Sequence, residues 1–210
     1  MKIAVIGANG KSGHLIAEEA ITRGHDVTAI VRDAKKLRPS LPVIEKDLFT
    51  LTYDDIKQFD VIIDCFAAWS EEDLPKHVTS LHHLVSLLKD KPNRLLIVGG
   101  AGSLYTDKTH TVRLIDTPDF PDSYKPLASN MAKGLDFLRT ITNVNWTYFS
   151  PAAEFIADGK RTGSYCLGNE EFFTNSKGES KISYADYAIA MIDEAEDAKH
   201  IKARFTAIEQ

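Results

Sequence analysis

The chain has 210 residues, of which 43% are hydrophobic and 26% charged, and its formal net charge is −5. This length and composition suit one sizeable core, and the acidic balance argues against nucleic-acid binding. We find neither a signal peptide nor a stretch long enough to span a membrane. Two widely spaced cysteines, Cys65 and Cys166, indicate a reducing compartment. We therefore expect a soluble, cytoplasmic protein without nucleic-acid or membrane partners.

The strongest pattern lies at the start of the chain. Residues 3–6 form a continuous apolar run typical of a buried central strand, and Gly7, Gly10 and Gly13 follow before a helical pattern begins. A glycine turn before a helix presents free N–H groups and the positive helix end to an anion, and it lets a pyrophosphate approach the backbone. The pattern favours dinucleotide binding over an ordinary strand-to-helix turn. Three further loop residues could contact phosphate: Asn9, Lys11 and Ser12.

The second strand, residues 27–31, is followed by the charged pair Arg32 and Asp33. In a dinucleotide-binding unit an acidic side chain at this point holds the ribose 2′-hydroxyl, whereas an arginine accommodates a 2′-phosphate. Lys11 adds a second positive charge to the same region, so the balance of charge favours NADPH over NADH. The alternative is that Arg32 and Asp33 form only a solvated strand end.

Strands and helices alternate along most of the chain, as judged from apolar β-branched runs and from apolar residues at helical spacing. This alternation predicts an α/β fold with a doubly wound, mainly parallel Rossmann sheet in a single domain, residues 1–210. Residues 150–182 would form a small appendage on the substrate side, with a short hairpin from residues 163–166 and 172–174. After the second strand, the predicted strands are residues 41–45, 60–64, 94–98, 145–149 and 203–208, and the predicted helices are residues 51–59, 75–89, 127–142 and 183–195, the last capped by Ser183.

Residues that follow strand ends are candidates for the ligand cleft, because ligands bind beyond the carboxyl ends of parallel strands. Asp47 would lie near the adenine, as a cap or a base contact, while Phe66 and Ala67 would line the cofactor side. Cys65 is better read as a small buried hydrophobe than as a reactive thiol. Three aromatic residues are candidates for contact with a substrate: Trp69, Phe149 and Phe155.

Two further segments have competing interpretations. The predicted helix at residues 75–89 contains His77, His82 and His83. They have no ligand partner at metal-binding spacing, so we expect surface or boundary positions and no metal site. Residues 104–126 are irregular and contain three prolines. A loop of this length either covers a substrate or is a disordered insertion.

Five stretches of the chain carry a family resemblance. They are Gly7-Ala8-Asn9-Gly10-Lys11-Ser12-Gly13, Val31-Arg32, Lys46-Asp47-Leu48, Ser150-Pro151-Ala152 and Ile182-Ser183-Tyr184-Ala185-Asp186. They resemble the atypical short-chain dehydrogenases/reductases of the NAD(P)H-binding branch, and more narrowly the bacterial NADH-flavin reductase-like proteins related to biliverdin reductase. The resemblance covers essentially the whole chain. It implies a Rossmann fold, an NAD(P)H cofactor and oxidoreductase activity.

The chain departs from this family at the proton donor. Members that reduce carbonyl groups carry a tyrosine four residues before a lysine, together with a serine after the fifth strand. Here Lys133 has Ser129 four residues before it, and Ser103 lies past the expected serine position. An aliphatic hydroxyl is a far weaker acid than a phenol, so Ser103 and Ser129 are only weak catalytic candidates. Lys133 is a weak candidate too, because no tyrosine stands four residues before it. Lys133 would hold the nicotinamide ribose or be a solvated helix lysine.

This departure selects among substrates. A ketone that takes hydride becomes an alkoxide and needs an acid nearby, whereas a flavin or quinone spreads the charge over its rings. The leading hypothesis is therefore a reductase that transfers hydride from NADPH, or from NADH, to a flavin or quinone-like small molecule. The alternatives are a non-catalytic NADP(H)-binding redox sensor and a reductase of another electrophile that uses Ser103, Tyr105 or His110 as its acid. An epimerase fits least because its reaction also needs the tyrosine. We expect a monomer or a homodimer.

Overall fold

A computed structural model describes residues 1–37 and 41–210, and its main feature is an eight-stranded sheet with helices on both faces. The strands are β1 (Lys2–Ile6), β2 (Asp26–Val31), β3 (Val43–Glu45), β4 (Val61–Asp64), β5 (Arg94–Val98), β6 (Asn145–Ser150), β7 (Glu154–Ile156), β8 (Tyr165–Gly168), β9 (Lys181–Ser183) and β10 (Ala203–Glu209). The helices are α1 (Lys11–Thr22), α2 (Tyr53–Ile56), α3 (Lys76–Leu88), α4 (Lys125–Arg139) and α5 (Tyr184–Asp197).

The strand order of the large sheet is β3-β2-β1-β4-β5-β6-β10-β8. Its paired strands run parallel except β8, which pairs antiparallel with β10 at the edge. The chain builds outward in one direction from β1 and then returns to start β4 on the other side of β1. Open α/β sheets bind ligands at such a reversal, beyond the carboxyl ends of the strands on either side of it, which here are β1 and β4. The expected doubly wound parallel sheet is confirmed.

The core lies in two layers because successive strand residues point to opposite faces of the sheet. Ile3 and Val5 of β1 belong to the cluster that packs α1 and α5, whereas Ala4 and Ile6 belong to the cluster that packs α3 and α4. These four residues are at most 4% exposed. Each fully buried isoleucine or valine stabilises the fold by about 1.5–3 kcal/mol. Burial on both faces explains the unbroken apolar run at the start of the sequence.

The structure corrects two predictions about regular elements. Residues 163–166 do not form a hairpin with residues 172–174; instead β8 pairs with β10, with Leu167 opposite Ala207. The open edge of β10 offers more backbone partners than a short local hairpin would. The predicted helix at residues 51–59 is only the single turn Tyr53–Ile56. The short parallel pair β7 and β9 was not predicted, since three residues are too few to show a period.

The first turn of the last helix, α5, holds the loop before β8. The Ser183 hydroxyl accepts a hydrogen bond from Asp186 N at 3.0 Å, which confirms the expected N-cap. Asp186 is fully buried, and its Oδ1 accepts from the N–H groups of Thr162 and Gly163, both at 2.9 Å. The start of α5 therefore fixes the loop that leads into β8.

Residues 104–126 are tied to the rest of the fold rather than disordered. The segment contains the 3₁₀ turns Leu114–Asp116 and Asp122–Tyr124, and Leu114 N donates to Leu104 O at 2.7 Å. Arg113 makes a bidentate ion pair with Asp136 of α4, with N–O distances of 2.9 and 2.7 Å. Across the described ranges, no helix is both long and apolar enough to cross a membrane.

Candidate functional site

The turn between β1 and α1 has a shape that only glycine can adopt. Gly7 has φ +75°, and a Cβ atom there would lie 2.9 Å from the carbonyl oxygen of Cys65. A Cβ atom at Gly13 would lie 2.5 Å from the carbonyl oxygen of Gly7. Real Cβ contacts do not occur at these distances, so strand and helix can approach this closely only without side chains. The glycine pattern thus forms a tight strand–turn–helix.

The helix that follows is well placed to hold an anion. Gly10 is the N-cap of α1 and donates its N–H to Gly7 O at 2.8 Å. Because Gly10 has no side chain to cap the helix, the N–H groups of the first turn can bind an external acceptor. Lys11 is exposed and Ser12 half-buried in that same turn. We call the turn formed by Gly7, Gly10 and Gly13 the glycine cradle. This cradle, the uncapped N-terminus of α1 and the nearby Lys11 fit the pyrophosphate of a dinucleotide.

The two charged residues that follow β2, Arg32 and Asp33, have different surroundings. The carboxylate of Asp33 accepts a hydrogen bond from Lys35 N at 3.0 Å and pairs with Lys36 Nζ at 3.5 Å, so it faces its own turn. Asn9 donates to the backbone oxygen of Asp33 at 2.8 Å and so links the glycine turn to β2. Arg32 is exposed and makes no ion pair within the described part of the chain. The Asp33 carboxylate is thus engaged in its own turn, whereas the Arg32 guanidinium is exposed.

Asp47, Phe49 and Phe66 lie close together beyond the ends of β3 and β4. Asp47 accepts a hydrogen bond from Phe49 N at 2.9 Å and caps the 3₁₀ turn after β3, the first of the two expectations for this residue. Phe49 packs edge-on against Phe66, with ring centroids 6.2 Å apart. Ala67 is exposed beside them. The structure thus brings the predicted adenine-side residues Asp47, Phe66 and Ala67 into one neighbourhood.

Buried polar side chains form hydrogen bonds with the backbone of the loop after β4, residues 65–68, hereafter the β4 loop. Asp64 Oδ1 accepts from Phe66 N at 3.0 Å, and His77 Nε2 lies 3.3 Å from Ala68 N and 3.1 Å from Ala68 O. Burial raises the pKa of Asp64 to about 6, against one backbone hydrogen bond that lowers it. Burial also lowers the pKa of His77. His77 is thus not the surface or boundary residue that we expected.

A third buried side chain, that of Tyr148, holds the loop that follows β5. The Tyr148 hydroxyl accepts from Gly100 N at 3.2 Å and donates to Met131 O at 3.3 Å. Burial raises the pKa of this phenol to about 12. Tyr148 lines one small cavity together with Asp64 and His77. This group was not predicted, although Asp64 and Tyr148 are polar residues near the ends of otherwise apolar strands, and that position could have indicated it.

The predicted aromatic contacts with a substrate have different outcomes. Trp69 is 71% exposed at the end of the β4 loop, where a ligand can reach it. Phe149 is fully buried between Tyr187 and Phe205, with centroid distances of 3.8 and 4.0 Å, so the prediction that it meets a substrate is wrong. Side chains alternate along β6, and Phe149 points into the α5 layer. Phe155 is half-buried against Tyr184 at 3.9 Å.

The weak catalytic candidates have different surroundings. Ser103 is 3% exposed and accepts from Arg204 Nη1 at 3.0 Å, which makes it a structural residue and contradicts the catalytic prediction. Ser129 and Lys133 lie one turn apart on α4, Ser129 half-buried and Lys133 exposed. Tyr105 and His110, named as acids for another electrophile, stack on each other with centroids 4.5 Å apart.

Cys65 behaves as the small buried residue that we expected. It is 7% exposed, and burial raises the pKa of its thiol, with a smaller contribution from Asp64. A thiol with a raised pKa is a poor nucleophile. Within residues 1–37 and 41–210, no group of three or more His, Cys, Asp or Glu side chains is placed to hold a metal ion.

Comparisons with known proteins agree with this geometry. The profile of a family described as NAD(P)H-binding matches residues 7–198. The uncharacterized protein YwnB of Bacillus subtilis (strain 168) is 51% identical over 213 positions, which cover 100% of this chain and 99% of that protein.

Two crystal structures have the same fold over nearly their full length. A Streptococcus pneumoniae TIGR4 protein with the provisional name NADH-flavin reductase is 53% identical, with a TM-score of 0.97 and 100% of both chains covered. A Bacteroides thetaiotaomicron protein with the provisional name epimerase is 36% identical, with a TM-score of 0.87 and with 99% of this chain and 96% of that chain covered.

Proposed function

Because the chain belongs to the NAD(P)H-binding family, we propose that it is a reductase that uses NADPH to reduce a flat, conjugated acceptor such as a flavin or a quinone. The glycine cradle and the first turn of α1 hold the pyrophosphate in this proposal, and Asp47, Phe66 and Ala67 surround the adenine. The nicotinamide supplies the hydride when it is bound.

The observation that carries the choice of NADPH is the arrangement at the end of β2. The Asp33 carboxylate is used within its own turn, with Lys35 N at 3.0 Å, whereas Arg32 is exposed. A ribose 2′-hydroxyl would need an acidic acceptor here, and a 2′-phosphate would need a cation. Lys11 adds positive charge from the glycine turn. NADH can still enter the same cradle, with weaker binding.

The acceptor class follows from the missing proton donor. Ser129 and Lys133 on α4 would occupy the positions of the family tyrosine and lysine, and an aliphatic hydroxyl cannot act as the acid that a ketone requires. A flavin or quinone delocalises the negative charge that it gains. The acceptor takes one hydride from the reduced nicotinamide and one proton from solvent, which leaves the oxidised nicotinamide and the two-electron-reduced acceptor. The relative with the provisional name NADH-flavin reductase supports this class.

The chain's own part in this reaction is to bind and orient the two ligands. Trp69, 71% exposed beside the β4 loop, gives a flat acceptor an aromatic surface on which to stack. Phe155 can contribute only an edge, because its ring already packs against Tyr184. Catalysis then rests mainly on proximity and orientation.

The test is NADPH oxidation by the purified protein, followed by absorbance with and without free FMN, with a quinone as second acceptor and NADH as comparison cofactor. We expect acceptor-dependent oxidation that is faster with NADPH. The Trp69→Ala variant should raise the KM for the acceptor and leave the KM for NADPH unchanged. Rates no better than the uncatalysed reaction with both acceptors would overturn the proposal, and retained NADPH binding would then favour a redox sensor.

A further inference from the structure

Two buried side chains hold the β4 loop by its backbone. Asp64 accepts from Phe66 N at 3.0 Å, and His77 Nε2 lies within 3.3 Å of Ala68 N and 3.1 Å of Ala68 O. Either tautomer of the imidazole therefore makes a hydrogen bond to Ala68. The two side chains are 3% and 8% exposed. These hydrogen bonds thus fix the backbone at Phe66 and at Ala68, while Ala67 between them is exposed.

The stability of the fold does not account for Asp64. Its carboxylate lines a cavity with His77 and Ser80 from α3 and Tyr148 from β6, and Cys65 follows it in the chain. None of the residues that line this cavity is a lysine or an arginine. A buried carboxyl without a cation is costly, and a nonpolar residue would pack there at lower cost. A polar group retained at such a position is best explained by what it holds.

The backbone that it holds lies against the glycine cradle. The carbonyl oxygen of Cys65 would be 2.9 Å from a Cβ atom at Gly7, and Cys65 N donates to Ile6 O at 3.0 Å. A shift of the β4 loop would therefore change the space above the cradle. The ring of Phe66 also depends on this loop, and it packs against His77 with centroids 5.6 Å apart.

We infer that Asp64 and His77 are positioning residues that fix the β4 loop in the shape that receives the adenosine half of NAD(P)H. The inference rests on the cofactor site proposed above and not on the acceptor or on turnover. The hydrogen bond from Phe66 N orients the ring that forms one wall for the base, and the contact with Ala68 fixes the far end of the loop. The loop is then already in its bound shape before the cofactor arrives.

The test compares variants that keep a hydrogen-bonding group with variants that remove it. Asp64→Asn keeps an oxygen for Phe66 N, and His77→Gln keeps an amide for Ala68; Asp64→Leu and His77→Leu remove these groups at similar volume. We expect both leucine variants to raise the Kd for NADPH, measured by fluorescence, about tenfold, because each loses one buried hydrogen bond. The asparagine and glutamine variants should bind within about twofold of the wild type. In turnover, the leucine variants should raise the KM for NADPH more than they lower kcat.

Ser80→Ala is the matched control, since Ser80 is buried in the same cavity wall and makes no hydrogen bond to the β4 loop in the described chain. Folded leucine variants that bind NADPH like the wild type would overturn the inference, as would an asparagine variant that binds as weakly as the leucine variant. If the leucine variants do not fold, amide exchange of the wild-type chain decides. We expect slow exchange at Phe66 and Ala68 that NADPH slows further, and unprotected amides would overturn the inference. Absent turnover with these binding results intact would count only against the proposed reductase.

Discussion

The buried carboxyl of Asp64 should make the chain less stable at neutral pH than at mildly acidic pH. Its pKa is about 6 in the folded chain and near the ordinary 3.8 in the unfolded chain, because burial disfavours the charge. Between these pH values the folded chain binds more protons than the unfolded chain, so this group lowers the free energy of unfolding as pH rises. Its contribution is fully present below about pH 4 and is lost as pH rises through about 6.

The size of the effect follows from the same two values. A shift of about two pKa units corresponds to about 3 kcal/mol at 1.36 kcal/mol per unit, and the side chain is buried enough that solvent screening does not reduce it. Asp64→Asn mimics the protonated acid at every pH. We expect the variant to be about 3 kcal/mol more stable than the wild type at pH 7.5 and nearly equal to it at pH 4.

Urea unfolding followed by circular dichroism at several pH values from 4 to 8 measures this difference. Other carboxylates titrate in both proteins and cancel when the two curves are subtracted. Asp60→Asn, an exposed carboxylate beside the start of β4 that accepts from Lys2 N at 2.8 Å, serves as control and should change stability by less than about 0.5 kcal/mol. A difference between Asp64→Asn and the wild type that does not vary with pH would refute the reasoning.

Two further predictions concern the cofactor site. Arg32→Ala should raise the KM for NADPH at least about tenfold and leave the KM for NADH within about twofold, because a charged hydrogen bond to phosphate is lost; Lys35→Ala, also exposed nearby, is the control, and equal effects on both cofactors would contradict the role of Arg32. Gly7→Ala should destabilise the chain by about 2–4 kcal/mol in urea unfolding and weaken NADPH binding, since its Cβ would meet the carbonyl oxygen of Cys65 at 2.9 Å. Gly24→Ala shares a positive φ, +81°, but has nothing within 4 Å, so it should cost only about 1 kcal/mol; equal costs at both positions would show that the contact with Cys65 is unimportant.

Local sequence patterns predicted the parts of the site that are built within one strand–turn–helix unit. Gly7, Gly10 and Gly13 lie together because they follow one strand and open one helix, so their spacing alone determines their arrangement. The same holds for Ser183, whose hydroxyl caps the helix that begins at the next residue. Neither feature depends on a distant part of the chain.

Residues whose role depends on packing between elements were predicted less well. His77 has the helical position of a boundary residue, yet it is buried because α3 lies close enough to the β4 loop for its imidazole to reach Ala68. Phe149 follows the pattern of a strand-end aromatic, but the α5 layer encloses it.

The sequence by itself determined the alternation of strands and helices, the glycine cradle and the positions at which strands end, because these depend on side chains a few residues apart. Only the tertiary structure decided that β8 pairs with β10, that Phe149 is enclosed against Tyr187 of α5, and that Asp64 shares a cavity with Tyr148 of β6. These features depend on which surfaces meet when the helices pack on the sheet. Such contacts join residues far apart in the chain, and periodicity carries no record of them.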